Sequence, residues 1–108
     1  MGEVVVIRRG EIWWGESPSQ KGRPYLVLTR DAALPVVRRV LVAPVTTRVR
    51  HLPSAIRLGP AEGLRTECIA TFDNVQPYPT ALLVRRLGEL GSGRIHEICS
   101  AMGAAIDC

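Results

Sequence analysis

Two apolar runs in the middle of the chain limit its fold more than any other feature. They are residues 23–30, RPYLVLTR, and residues 40–48, VLVAPVTTR. Because successive positions in both runs are apolar, each run predicts a strand that is buried on both of its faces. Pro24 cannot donate a hydrogen bond to a neighbouring strand, so we expect it at the start of its own strand. If the two strands pair, Arg23 and Thr46 come to one rim of a small barrel.

Short apolar segments, separated by glycine, proline and polar residues, continue this pattern along the chain. The polar stretch 16–22, ESPSQKG, is expected to be a loop, and residues 77–79 are expected to form a rigid turn. Pro44 is expected at a sheet edge or at a bulge. The predicted strands are 10–15, 25–29, 36–45, 54–58, 67–71 and 80–87.

One helix is predicted at the C-terminus, where apolar residues recur at helical spacing after two glycines and where Ser92 is a candidate N-cap. Together with the strands, this predicts a mainly β fold with a C-terminal α-helix, in which five to seven short strands form a small barrel. The chain has 108 residues and no internal repeat or linker, so residues 1–108 are predicted to be a single domain. The apolar stripe predicted for the helix consists of Ile95, Ile98, Cys99, Met102 and Ile106.

The charge of the chain points to a polyanionic partner. Arginine supplies 13 of the 14 basic residues, and the net charge is +4. No acid occurs between positions 32 and 61, whereas five arginines do. A guanidinium is suited to bidentate recognition of phosphate, so nucleic acid is the expected partner. The alternative is a basic face that simply contacts solvent.

Cysteine and histidine content argues against a disulfide framework and against a metal centre. Cys68, Cys99 and Cys108 lack CxxC spacing, and the first two are predicted to be small core residues. His51 lies in a basic turn and His96 on the polar side of the helix, without spaced carboxylates. Neither a metal nor a cofactor is therefore predicted. No apolar stretch approaches the ~20 residues that span a bilayer, so a cytoplasmic protein without membrane contact is expected.

The remaining reactive side chains are Arg23, Thr46, Thr47, Arg48 and Asp73. Cleavage of RNA by its own 2′-hydroxyl needs groups of this kind, because the nucleophile is already part of the substrate. A guanidinium can hold the charge of the phosphate, and a threonine hydroxyl can donate or relay a proton. The alternative is that Arg23 pairs with a carboxylate and that the threonines merely end a strand. Residue types alone favour that alternative.

Four short motifs follow one another in a specific order. They are RGEIWW at 9–14, GRPYLVLTR at 22–30, VLVAPVTTR at 40–48 and CIATFDNVQPYP at 68–79. The segment 82–90, which overlaps the last predicted strand, and the terminal helix come after them. Taken together over about residues 8–106, this order resembles the MazF/PemK family of toxin endoribonucleases.

The resemblance implies an SH3-like small barrel of the CcdB/PemK-like type. It also implies a homodimer whose interface groove binds RNA. Cleavage in the family needs no metal and leaves a 2′,3′-cyclic phosphate and a 5′-hydroxyl. This loss of intact RNA inhibits translation and growth. The implied partners are the RNA substrate and a cognate antitoxin with an acidic, flexible C-terminal tail, in the bacterial cytoplasm.

By the same resemblance, Arg23 matches the family's catalytic arginine and Thr46 its catalytic threonine. Asp73 matches an acidic residue that some members use near the scissile phosphate, although those members carry an arginine where this chain has Thr71. The segment 16–22 also lacks the family's Gly-Ser-Glu pattern. The residues expected to bind RNA are Gln20, Lys21, Arg30, Thr47, Arg48, Asp73, Asn74 and Gln76.

Two other functions remain open at the level of sequence. Related barrels in toxin families poison DNA gyrase through their terminal helix, but residues 107–108 offer no aromatic anchor for such a contact. A plain nucleic-acid-binding module would use its exposed arginines without cleaving anything. It would bind in a salt-sensitive manner.

Overall fold

The computed structural model describes residues 6–31 and 38–106. Within these residues, seven strands precede one α-helix, and single turns of 3-10 helix lie between several of them. The 3-10 turns are Pro60–Glu62, Phe72–Asn74, Thr80–Leu82 and Ser92–Arg94. The main elements are β1 Glu11–Ser17, β2 Gln20–Val27, β3 Arg39–Thr46, β4 Ala55–Leu58, β5 Cys68–Thr71, β6 Gln76–Pro79, β7 Leu83–Glu89 and α1 His96–Ile106.

All strand pairs are antiparallel, and β3 lies at the centre of the sheet. On one side of β3 the order continues as β2, β1 and β7. On its other side, residues 39–42 pair with β6, whereas residues 45–46 pair with β5, which in turn pairs with β4. The sheet therefore curls about β3 into a half-barrel. The predicted fold class, mainly β with a C-terminal helix, is confirmed.

Pro44 lies inside this central strand and not at an edge or a bulge. The amide of Leu28 donates to the carbonyl of Leu41 at 2.9 Å, so Leu41 faces β2. Ladder groups alternate along a strand, and the nitrogen of Pro44 therefore faces the side of β5 and β6. Pro44 falls between the residues that pair with β6 and those that pair with β5. The missing N–H thus costs no ladder hydrogen bond.

The polar stretch 16–22 is not a loop, as the sequence had suggested, but part of a tight hairpin. β1 runs to Ser17, β2 begins at Gln20, and these two residues pair across a two-residue turn. Polar side chains on an exposed hairpin do not prevent the backbone from pairing. Arg23 and Pro24 consequently lie within β2, and Pro24 pairs with β1 one position before pairing with β3 begins.

Each face of the curled sheet carries its own group of buried residues. Trp13 is buried on one face, and the adjacent Trp14 lies half-buried on the other. The first face also buries Tyr25, Val27, Val40, Val42, Tyr78 and Leu83. The second face packs against the helix and includes Ile12, Leu26, Ala43, Val45, Ile56, Phe72 and Ile98.

The C-terminal helix begins later than its sequence suggested. Ser92 opens a 3-10 turn without a side-chain cap, and α1 starts at His96. Ile98 and Ala101 are buried. The prediction that Cys99 and Ile106 belong to the buried stripe is wrong, since both are exposed. The stripe is completed by residues that pack partly buried against the core, namely Ile95, Met102 and Ala105.

Two further strand predictions need correction. Residues 77–79, expected to form a turn, belong to β6, because Pro77 and Pro79 pair with β3. The strand predicted at 80–87 begins at Leu83, after a 3-10 turn. The first two residues of the strand predicted at 36–45 lie outside the described residues.

Candidate functional site

The register between β2 and β3 relates Arg23 to Thr46 beyond the last residues that pair. Tyr25 pairs with Pro44, Leu26 with Ala43 and Val27 with Val42. Extending this register by two positions brings Arg23 level with Thr46. Side chains two positions apart share a face, so both lie on the face of Tyr25 and Pro44. β3 turns to pair with β5 at Val45, and the two side chains therefore stand where β2 and β3 separate.

Thr46 is half-buried, and a local hydrogen bond fixes its hydroxyl. The backbone amide of Arg48 donates to Thr46 Oγ1 at 3.1 Å. A hydroxyl oxygen that accepts one hydrogen bond can still donate its own proton. Thr47 is exposed and, by alternation, points to the other face. Of the two neighbouring hydroxyls, that of Thr46 shares the face of Arg23.

Arg23 is exposed, and within residues 6–31 and 38–106 its side chain makes no hydrogen bond and no ion pair. The carboxylate partner that the residue types had suggested is therefore not found in the described structure. Several acids bind other arginines instead. These ion pairs join Arg57 to Glu67, Arg86 to Glu11 and Glu89, and Arg94 to Glu62 and Glu97. The guanidinium of Arg23 remains available to an external anion.

The 3-10 turn Phe72–Asn74 carries two further predicted residues beside the middle of β3. The turn joins β5 to β6, so it passes residues 43–44, where β3 changes its partner. Ser54 is buried, and its hydroxyl donates to Asp73 Oδ2 at 3.0 Å. Asn74 is exposed next to it. Gln76 is also exposed and pairs with Val42, four positions before Thr46 on the same face of the sheet.

The other predicted RNA-binding residues fall into two groups. Gln20 and Lys21 are exposed on the first part of β2, and Arg48 is exposed just beyond β3. These three lie at the same end of the β2–β3 pair as Arg23. Arg30 lies beyond the opposite end of β2, about 23 Å from Arg23 at the rise of an extended chain. The structure does not bring Arg30 to the rim.

Sequence reasoning missed a pair of tyrosines next to Arg23. The rings of Tyr25 and Tyr78 lie 4.5 Å apart, and the Tyr78 hydroxyl donates to the carbonyl of Glu16 at 3.1 Å. Gly15 makes this possible, because a Cβ at Gly15 would come within 2.8 Å of the Tyr25 ring. Burial, with the neighbouring Tyr25, raises the pKa of Tyr78. The available signal was a glycine inside a strand, which often marks close approach by another group.

Across the described residues, no three His, Cys, Asp or Glu side chains are grouped so that they could hold a metal ion. In the same part of the chain, no helix is both long enough and apolar enough to cross a bilayer.

Comparison with known proteins gives concordant matches over nearly the whole chain. The chain is 44% identical over 101 residues to "Probable endoribonuclease MazF5" of Mycobacterium tuberculosis, which covers 93% of each protein. It is 35% identical to "Probable endoribonuclease MazF2" of the same species, over 94% of this chain and all of the relative. The solved structure "Mycobacterium tuberculosis toxin MazF-mt6" superposes with a TM-score of 0.82 at 33% identity, covering 90% of this chain and 96% of that one.

The family model for the PemK-like, MazF-like toxin of type II toxin–antitoxin systems matches residues 8–106. These residues contain the four sequence motifs. They also include the curled sheet, the Arg23–Thr46 register and the terminal helix. The chain therefore belongs to the PemK-like, MazF-like family of toxins of type II toxin–antitoxin systems.

Proposed function

We propose that the protein is an endoribonuclease toxin that cleaves RNA without a metal ion, by attack of the 2′-hydroxyl on the adjacent phosphate. The observation that carries this proposal is the β2–β3 register. Extended by two positions, it brings Arg23, whose side chain forms no ion pair within the described residues, level with Thr46 where the two strands separate. Family membership supports the toxin role. The names of its mycobacterial relatives support endoribonuclease activity.

In the proposed reaction, the RNA 2′-oxygen loses its proton and bonds to phosphorus. The bond from phosphorus to the 5′-oxygen breaks, and that oxygen gains a proton. The products are a 2′,3′-cyclic phosphate and a 5′-hydroxyl. Arg23 donates hydrogen bonds to the non-bridging phosphate oxygens, whose negative charge increases in the transition state. The hydroxyl of Thr46 donates or relays a proton at the same phosphate.

The surrounding polar residues fit the path of an RNA strand past this phosphate. Lys21 and Arg48 are exposed beside Arg23, and neither forms an ion pair within the described residues. Gln76 pairs with Val42 of β3, and Asn74 is exposed in the turn just before it, so both residues offer amide groups near this strand. Amide groups can form hydrogen bonds to unstacked bases. Arg30 lies beyond the far end of β2, so it would contact the RNA only at a nucleotide several positions from the cleaved phosphate.

The proposal includes a homodimer, a cognate antitoxin and a bacterial cytoplasmic location. Toxins of this family belong to type II toxin–antitoxin systems, so a protein that neutralises the toxin is expected. An acidic, flexible tail on that antitoxin would complement the unpaired basic residues around Arg23. Exposed apolar residues supply surface for a dimer contact, and among them Leu41 and Val84 are 45% and 54% exposed.

The proposed function is tested by incubating purified protein with long RNA in excess EDTA and mapping the ends. We expect discrete cuts that leave 5′-hydroxyl and cyclic phosphate ends. Arg23→Ala should abolish cutting. Arg65→Ala is the matched control, because it removes another exposed arginine, one that pairs with no acid in the described structure. Intact messenger, ribosomal and transfer RNA after long incubation would refute the proposal. A gyrase poison, in contrast, would tolerate Arg23→Ala.

A further inference from the structure

The backbone sets the position of Arg23, because its side chain makes no hydrogen bond and no ion pair within the described residues. That backbone pairs with Gly15 of β1. The register of β1 is irregular at this point on both sides. The pairing of β1 with β2 changes register between Gly15 and Ser17. The pairing of β1 with β7 changes register between Trp14 and Gly15. An irregular strand is a weak support for a side chain that needs a defined position.

Tyr78 stabilises this irregular point from a distant part of the chain. Its hydroxyl donates to the carbonyl of Glu16, which lies within the shifted segment. The Tyr78 ring is only 7% exposed and lies against Tyr25, whose side chain shares a face with Arg23. Gly15 leaves the space into which both rings pack, since a Cβ there would come within 2.9 Å of the Tyr78 hydroxyl. One side chain thus contacts both the strand that carries Arg23 and the strand that pairs with it.

We infer that Tyr78 is a positioning residue for Arg23, and this inference rests on the proposed function of Arg23. The hydroxyl holds the Glu16 carbonyl, and the ring holds Tyr25. Together these contacts fix the direction in which β1 and β2 present the guanidinium at the rim. Tyr78 itself is buried, so we expect it not to touch the substrate.

The test is the variant Tyr78→Phe, which keeps the ring and removes only the hydroxyl. Misplacing a catalytic group by about 1 Å can cost about 10²-fold in rate. We expect kcat to fall by roughly 10-fold to 100-fold and KM to stay within about twofold. The matched control is Thr80→Val, because the Thr80 hydroxyl also donates to a backbone carbonyl at 3.1 Å, that of Arg38, at the far end of β3. Its kcat should match that of the unaltered protein.

A double variant separates positioning from general loosening of the fold. Lysine in Arg23→Lys keeps the charge on a flexible stem and lacks the planar guanidinium. Adding Tyr78→Phe to Arg23→Lys should therefore slow cleavage by no more than about threefold, since effects of coupled residues do not add. If the two losses multiply in full, or if Tyr78→Phe alone leaves kcat unchanged, the inference is overturned.

Amide chemical shifts test the geometry independently of catalysis. In Tyr78→Phe we expect changes confined to residues near 15–17, 22–24 and 78, while β4 and β5 keep their shifts. Unchanged shifts at 15–17 and 22–24 would overturn the inference. The proposed function fails separately, namely if the unaltered protein cuts no RNA or if Arg23→Ala cuts normally.

Discussion

Replacing Thr46 by valine tests the proposed catalytic pair, because it removes one hydroxyl and keeps the shape of a β-branched side chain. Valine suits a strand as well as threonine does, so the pairing of Thr46 with Ile69 should persist. The amide of Arg48 loses its acceptor at 3.1 Å, but that amide belongs to an exposed residue where water can replace the oxygen. We therefore expect stability to fall by at most about 1 kcal/mol.

The effect of Thr46→Val on the reaction should be larger than its effect on stability. Loss of a group that assists proton transfer slows a reaction by about 10²-fold or more, which corresponds to about 2.7 kcal/mol in the activation free energy. The assay is single-turnover cleavage of a labelled RNA that contains a mapped cut site, in EDTA. Binding to the same RNA carrying a 2′-deoxy substitution at the cut should change little.

Thr47→Val is the matched control, because Thr47 is exposed on the opposite face and should lose less than about tenfold in rate. If Thr47→Val is the crippling change and Thr46→Val is mild, the hydroxyl opposite Arg23 is not the one that the reaction uses. The reasoning from the β2–β3 register would then be refuted, although the register itself would stand.

Four further outcomes follow from the structure. Arg23→Ala should lower kcat/KM by about 10²-fold or more and leave the circular dichroism spectrum unchanged, as expected for a lost transition-state donor. Gly63→Ala should lower the free energy of unfolding by about 2 kcal/mol or more in urea, because φ is +92° and a Cβ would overlap the Leu87 carbonyl. Hydrogen bonding to Arg94 lowers the pKa of Glu97. The ionised carboxylate therefore stabilises the fold at pH values above the ordinary pKa of glutamate. That contribution should disappear as the pH falls through the lowered pKa, and Glu97→Gln should flatten the acid side of the stability profile. Sedimentation at micromolar concentration should give the mass of two chains, and a strict monomer would contradict the proposed dimer.

Several elements could be predicted from the sequence because their signals are local. The apolar runs before Thr29 and Thr46 give buried strands, since burial on both faces requires apolar residues at every position. β4 and β5 were located to within one residue for the same reason. The hairpin at 16–22 could not be predicted in this way, because polar side chains do not indicate whether the backbone pairs. In the helix, Cys99 and Ile106 match the apolar spacing and are nevertheless exposed, because the sheet covers only the side of Ile98 and Ala101.

The sequence by itself determined which residue types were available for phosphate chemistry and the order of the strands that carry them. It also determined that Arg23 and Thr46 follow the alternation of their own strands, which places each on a definite face. Only the tertiary structure decided that these faces coincide, because that depends on the pairing of Tyr25 with Pro44. The same holds for Tyr78, whose hydroxyl meets a carbonyl 62 residues earlier in the chain. No local pattern encodes such a contact, since it exists only after β3 has brought β2 and β6 to its two sides.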